Sequence, residues 1–233
     1  MKKYHFDFKF ICIYILIIAV FLIVPLLGNR AVTVYSDNLT PRKCVIIDAG
    51  HGGIDCGAIS CTGVYESHIN LEIAIRLRDL MHLFGIQTVM IRDTDRSVYI
   101  EGNTIASQKV SDIKERVRIV NTTPNAFLLS IHQNNFQDAR YSGAQVFYNT
   151  YQESKVLADK LQAAFRDCLD ARNHRKAKRT SGIYLMEHIN CPGVLIECGF
   201  LSNREEEFKL RNEDYQKAIC MVISATVHQY LNT

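Results

Sequence analysis

The chain has 233 residues, 48% of them hydrophobic and 22% charged, which excludes an intrinsically disordered polypeptide. Net charge is only +3 and no basic repeat with interleaved aromatics occurs, so composition gives no ground for a nucleic-acid partner. Eight cysteines are scattered without a C-x-x-C pair, and no disulfide framework can be read from them.

Residues 10–28 (FICIYILIIAVFLIVPLLG) form an uninterrupted apolar stretch of 19 residues, about the length a helix needs to cross a bilayer. Lys2, Lys3 and Lys9 precede it and Arg30 follows, so the positive flank is on the N-terminal side. The expectation is a cytoplasmic tail at 1–9, a membrane anchor at 10–28 and the remainder outside the cytoplasm. A cleaved signal peptide is the alternative, but the stretch exceeds a usual signal core and no A-x-A site follows. Residues 29–42 read as a linker, and 43–233 as one domain large enough for a real core.

Within that domain the pattern alternates. An apolar run, CVIID (44–48), feeds the glycine-rich loop AGHGGIDCGA and reads as a buried strand. Ile69, Ile73, Leu77, Leu80 and Phe84 recur at helical spacing over 67–84, with Ser67 as expected N-cap and Gly85 as stop. QTVMIR (87–92) reads as the next strand, 93–110 as a polar loop and 112–121 as a helix. FLLSIH (127–132) and AQVFY (144–148) read as strands, followed by a helix over 152–171 and a basic stretch. Short strands are expected at 183–186 and 194–198, then helices near 203–211 and 213–231. This alternation predicts an α/β fold, a mostly parallel twisted sheet with helices on both faces, behind one N-terminal hydrophobic helix.

Functional groups in such sheets gather at the C-terminal ends of strands. His51 follows the first strand, His132 ends FLLSIH and Glu197 closes VLIE. A catalytic zinc wants three His, Asp or Glu ligands and one open position, and His51, Glu66 and His132 could supply them. Each also has a plainer reading. His51 could be a loop histidine, His132 a hydrogen-bonded strand-end histidine, and Glu66 a carboxylate favouring a helix N-terminus. Glu197 is harder to dismiss, because a carboxylate in an apolar strand is costly unless paired, metal-bound or functional. Cys56 and Cys61 lie near His51, but the His/Glu set needs neither; Cys44, Cys198 and Cys220 sit in apolar runs as small buried hydrophobes.

The segments VIIDAGHGGIDCGA (45–58), Glu66, LLSIHQNN (128–135) and GVLIECGFLSN (193–203) together resemble the zinc-dependent N-acetylmuramoyl-L-alanine amidase family. The resemblance runs from about Cys44 to the C-terminus, with the motifs in the family's order. It implies one Zn2+ held by His51, Glu66 and His132, with Glu197 as the catalytic carboxylate. It also implies a sheet between helical layers, and a substrate that is a peptidoglycan glycan strand carrying stem peptides. RKAKRTSGIYLME (175–187) resembles the germination-specific, spore-cortex branch, which implies stem-peptide removal so that a cooperating deacetylase can form muramic-δ-lactam. An activating protein partner is also expected. Substrate contacts are expected from Arg116, Asn134 and Arg179; the run Arg172, Arg175, Lys176, Lys178 and Arg179 reads equally as a solvated loop after a helix or as a contact for stem-peptide carboxylates. Arg116 and Arg118 are otherwise expected on a helix surface.

Only about ten residues separate His132 from Gly143, which leaves no room for the inhibitory helix some members insert there. Cys198, beside the carboxylate, suggests a site sensitive to oxidation. Two other readings compete: a zinc peptidase cutting within the stem peptide, and a non-enzymatic wall-binding module with structural zinc.

Overall fold

A computed structural model of the chain describes residues 43–232 and Ile18. The expected tail (1–9), the rest of the apolar segment (10–28) and the linker (29–42) lie outside the described residues. No helix among the described residues is long and apolar enough to cross a membrane.

The strands are β1 (Cys44–Ala49), β2 (Thr88–Met90), β3 (Ala126–Asn134), β4 (Gln145–Tyr148), β5 (Lys178–Arg179) and β6 (Gly193–Phe200). The helices are α1 (Glu66–Leu83), α2 (Ile105–Thr122), α3 (Gln152–Cys168), α4 (Tyr184–His188), α5 (Arg204–Leu210) and α6 (Glu213–Leu231). All six strands join one sheet in the order β2-β1-β3-β6-β4-β5. Every pairing is parallel except β4 with β6, so the expected mostly parallel sheet is present.

Strand alternation sorts the apolar residues onto two faces. Val45, Ile47, Phe127, Leu129, Ile131, Val194 and Ile196 meet the main core, where Ile73, Leu77, Leu161, Phe165, Ile219 and Ile223 bring α1, α3 and α6. Ile46, Leu128 and Leu195 meet a smaller core with Val120 of α2 and Leu185 and Met186 of α4. On this second face the apolar pattern stops one step further along each strand. The next residues facing that way are Asp48 in β1, Ser130 and His132 in β3, and Glu197 in β6. That switch from apolar to polar is where the fold stops building core and starts building a site.

Several boundaries differ from the expectation for identifiable reasons. Residues 183–186 are not a strand. Leu185, Met186 and Ile189 share one helical face on the second core, and Glu187 accepts the Gly182 N–H at 2.6 Å, which tightens the turn before α4. Helix α2 starts at Ile105, well inside the expected loop, because Thr104 and Ser107 form a reciprocal capping box. Helix α1 starts one residue before Ser67, making Glu66 its first residue and Tyr65 its N-cap. The two-residue edge strand β5 arises inside the basic stretch, paired with Phe147 and Tyr148, and is too short to show an alternation. No helix lies between β3 and β4, as the short segment after His132 requires.

Leu129 is fully buried at the centre of β3. Leu129→Ala is expected to cost about 2–5 kcal/mol, read as a lower denaturation midpoint with an unchanged m-value.

Candidate active site

The first expected ligand sits on a loop held by two buried arginines. After β1, the carbonyls of Ala49, Gly50 and His51 turn inward without strand partners to satisfy them all. Arg92 donates through Nε to Ala49 O (2.8 Å), and through Nη2 to Gly50 O (3.0 Å) and Ser67 O (2.8 Å). Arg116 donates through Nη1 to Ala49 O (3.1 Å) and through Nη2 to His51 O (2.7 Å). The Arg116 charge is met by Asp112 at 2.6 Å and by Asp48, which also accepts the Ser130 hydroxyl at 2.6 Å. Burial works against an ionised Asp48, but the Arg116 and His132 charges and the Ser130 and Arg116 hydrogen bonds hold its carboxyl below the usual range.

Arg116 is therefore not on the helix surface where it was expected. It is buried at 2% exposure, and its guanidinium is committed to Asp48, Asp112 and two carbonyls rather than to substrate. Arg118 does lie at the surface, paired with Glu115.

The clamp presents His51 in a left-handed backbone conformation, φ 62°, which is uncommon for a side chain with a Cβ. Its Nδ1 lies 2.7 Å from Asp55 Oδ2 and its Nε2 lies 3.4 Å from Glu66 Oε2. Asp55 is held in turn by Lys109 of α2 at 2.6 Å. A carboxylate on Nδ1 fixes the tautomer that turns Nε2 towards a metal.

Glu66 is fixed from several sides. Ala58 N–H donates to Oε2 at 2.9 Å; Gln133 N–H (3.2 Å) and Asn70 Nδ2 (3.1 Å) donate to Oε1. His132 Nδ1 lies 3.1 Å from Oε1. At the start of α1 the carboxylate also gains from the helix dipole. Burial opposes its charge, but His132 and His51 hold it well below the usual carboxylate range. Burial likewise opposes a protonated His51, yet Asp55 and Glu66 overcome it and raise the imidazole to about 10. Both directions say that a positive charge is favoured between these groups.

His51, Glu66 and His132 each offer a ligand atom within 4.8 Å of the others, the geometry a single metal ion requires. The two imidazoles stand edge-on at 78° with centroids 5.1 Å apart. Among the described residues neither Cys56 nor Cys61 joins this set.

Glu197 stands next to it. In the β3/β6 register His132 is paired with Glu197, and the register shifts just beyond, between His132 and Asn134. An irregularity of that kind beside a site turns side chains that regular pleating would stack. Burial raises the Glu197 carboxyl to about 7; the His132 charge lowers it and Glu66 raises it. Its Oε2 is buried with no hydrogen-bond partner. An orphaned carboxylate oxygen beside a metal-shaped cluster fits a site built to receive a metal and a reacting molecule.

The chain has relatives among known proteins. Residues 45–229 match the family model described as N-acetylmuramoyl-L-alanine amidase. The chain belongs to that family. It is 36% identical over 190 residues to the germination-specific N-acetylmuramoyl-L-alanine amidase of Bacillus subtilis, covering 81% of this chain and 79% of the relative. The fold superposes with TM-score 0.78 and 38% identity on the CwlD amidase from Clostridioides difficile, solved in complex with the GerS lipoprotein. That match covers 82% of this chain and 98% of the other. An N-acetylmuramoyl-L-alanine amidase from Clostridium difficile 630 gives TM-score 0.72 at 31% identity, covering 83% and 99%. The four segments that suggested the amidases thus lie within the matched span, in a domain of the amidase fold.

The remaining expected contacts are less central. Asn134 ends β3, half-buried, with its carbonyl accepting Leu201 N–H at 2.7 Å. Arg179 is exposed on edge strand β5, two strands from β6. Cys198 faces away from Glu197 into the main core, 1% exposed, and burial pushes its thiol far up. A buried, protonated thiol resists oxidation, so Cys198 does not sensitise the site. Asp48, Asp55, Arg92, Asn70 and Lys109 escaped the sequence reading. Asp48 and Arg92, each a charge closing an apolar run, were the available signal.

A Cβ on Gly50 would stand 2.2 Å from His132 Cε1 and 2.3 Å from Nε2. Gly50→Ala is expected to displace the ring and weaken Zn2+ binding at least about tenfold, measured by competition with a chromogenic chelator. Asp55→Ala, which frees the His51 ring, should lower Zn2+ affinity by about 10–100-fold in the same titration while the thermal midpoint barely moves.

Proposed function

We propose that this amidase is zinc-dependent, with His51, Glu66 and His132 as the metal ligands and Glu197 as the catalytic carboxylate. It hydrolyses the amide between the lactyl group of N-acetylmuramic acid and L-alanine of peptidoglycan stem peptides. The observation that carries the reading is Glu197 beside His132 in register, with one buried oxygen unpartnered. Two histidines and a carboxylate form a three-member set, and a three-ligand zinc site leaves a position open, as catalytic rather than structural zinc does.

When bound, the metal supplies Lewis acidity to the scissile carbonyl and to the attacking water. The chain's own groups do the rest. Glu66 would supply the negative charge and the two histidines the nitrogen donors that hold the cation, and Asp55 keeps the His51 ring in the ligating tautomer. Glu197, with a carboxyl near neutrality, accepts the water's proton at Oε2 and returns it to the departing L-alanine nitrogen.

The likeness to the germination-specific amidase supports a substrate in spore cortex, where stem-peptide removal prepares muramic acid for a deacetylase. Residues 43–233 are then the catalytic domain, working outside the cytoplasm, with 10–28 as membrane anchor and 29–42 as tether. The CwlD–GerS complex supports an activating lipoprotein as partner.

Full-length protein should release intact stem peptides beginning with L-alanine from purified muropeptides, identified by mass, and a chelator should stop it. Glu197→Ala should retain one equivalent of zinc and lose cleavage by at least about 10². Fragments cut inside the stem peptide would make the enzyme a peptidase. Zinc loss in Glu197→Ala, with His51→Ala retaining it, would overturn the assignment of roles.

A further inference from the structure

Beyond Glu197 the second face of the sheet continues onto the antiparallel strand β4. Gln145 is paired with Glu197 in register, and directly opposed residues of an antiparallel pair share a face, their Cβ atoms about 5 Å apart. The Gln145 amide is buried and oriented, donating through Nε2 to Lys176 O at 3.0 Å. Its Oε1 accepts from Arg175 Nη1 at 3.1 Å. A continuous row therefore runs from His132 through Glu197 and Gln145 to the guanidinium of Arg175.

Arg175 is held as if for a purpose the protein alone does not supply. Its Nε donates to Ser142 O at 2.7 Å, and its guanidinium carbon lies 4.5 Å from the centroid of the Phe200 ring and 5.7 Å from that of Tyr141. Stacking on two rings and two hydrogen bonds fixes the planar group before anything binds. Yet no carboxylate within ion-pair distance meets it among the described residues, whereas the nearby Arg172 and Arg140 are paired with Asp170 and Asp138. The carboxylate whose charge reaches it most, Glu206, spends its oxygens on the N–H groups of Gly143 and Phe200. Half-burial costs the cation hydration that nothing in the chain fully returns, and it lowers the Arg175 pKa despite Glu206. Nη2 has no acceptor of its own among the described residues.

We propose that Arg175 binds the carboxylate of the acidic residue that follows L-alanine in the stem peptide. This rests on the amidase reading and gives the same site a specificity contact. With the scissile amide at Glu197, a carboxylate two residues of extended chain further on lies about 7 Å away, which matches a path from β6 over β4. A charge-assisted hydrogen bond from Nη2 suits a carboxylate, and an amide at that position would leave the guanidinium without its counter-ion.

The test compares two otherwise identical muropeptides. In one, the residue after L-alanine carries a free α-carboxylate; in the other that group is a carboxamide. Full-length wild type should show a KM for the carboxylate form about tenfold lower, with similar kcat. Arg175→Gln should raise KM for the carboxylate substrate by about the same factor, spare kcat and abolish the discrimination, with zinc content unchanged. Arg175→Lys should recover part of it. A wild type that treats both substrates alike overturns the proposal even if Arg175→Gln fails to fold. A variant that weakens both substrates equally makes Arg175 a structural residue. Should wild type release no L-alanine-headed peptide from either substrate, the amidase reading falls first and takes this contact with it.

Discussion

Everything at this site depends on two arginines buried against the first strand end. A loop that must leave β1, turn sharply and expose His51 carries carbonyls that the sheet can no longer satisfy, and an unpaired buried carbonyl is costly. Arg92 and Arg116 supply the missing donors from two directions: one from the chain just after β2, the other from α2. Two cations cannot share that volume without a balancing charge, and Asp48 gives it from the last turn of the same strand. The clamp ties β1, β2, α1 and α2 to a single loop, so the ligand inherits the rigidity of the sheet.

The electrostatics follow from that arrangement. Asp55 and Glu66 bracket His51, while Glu66 also reaches His132, so negative charge concentrates where the candidate metal ligands converge. Glu197, a strand away and deprived of hydrogen bonds, responds oppositely: burial keeps its proton within reach of neutral pH. One pocket thus holds a carboxylate that stays ionised and one that can exchange a proton, set apart by their donors rather than by their chemistry.

Much of this was legible in the sequence, and the reason is periodicity. Runs such as CVIID, FLLSIH and VLIE show strands directly, and the polar residue after each apolar run marks where a site forms, although β3 continues to Asn134 and β6 to Phe200. Glu197 stood out because nothing in its apolar surroundings could pay for it. What stayed hidden depends on pairing across the sheet. Nothing in the spacing of Arg116 distinguishes a surface helix arginine from one buried on Asp48, because the partner is 68 residues away. The capping box at Thr104 was masked by a polar loop, and α4 was mistaken for a strand because a five-residue helix shows barely one turn of its period.

The pairing of His132 with Glu197 divides the site into halves held by different means. The spacing between those two residues is set by the backbone ladder joining β3 and β6, about 4.8 Å from strand to strand, at the middle of the sheet. His51, by contrast, arrives on the segment between β1 and α1, and Glu66 on the first residue of α1, neither of which the ladder reaches. The distance from His132 to Glu197 is thus written into the hydrogen bonds of the sheet, while the place of His51 is written into side chains, the Arg92 and Arg116 donors and the Asp55 and Glu66 acceptors.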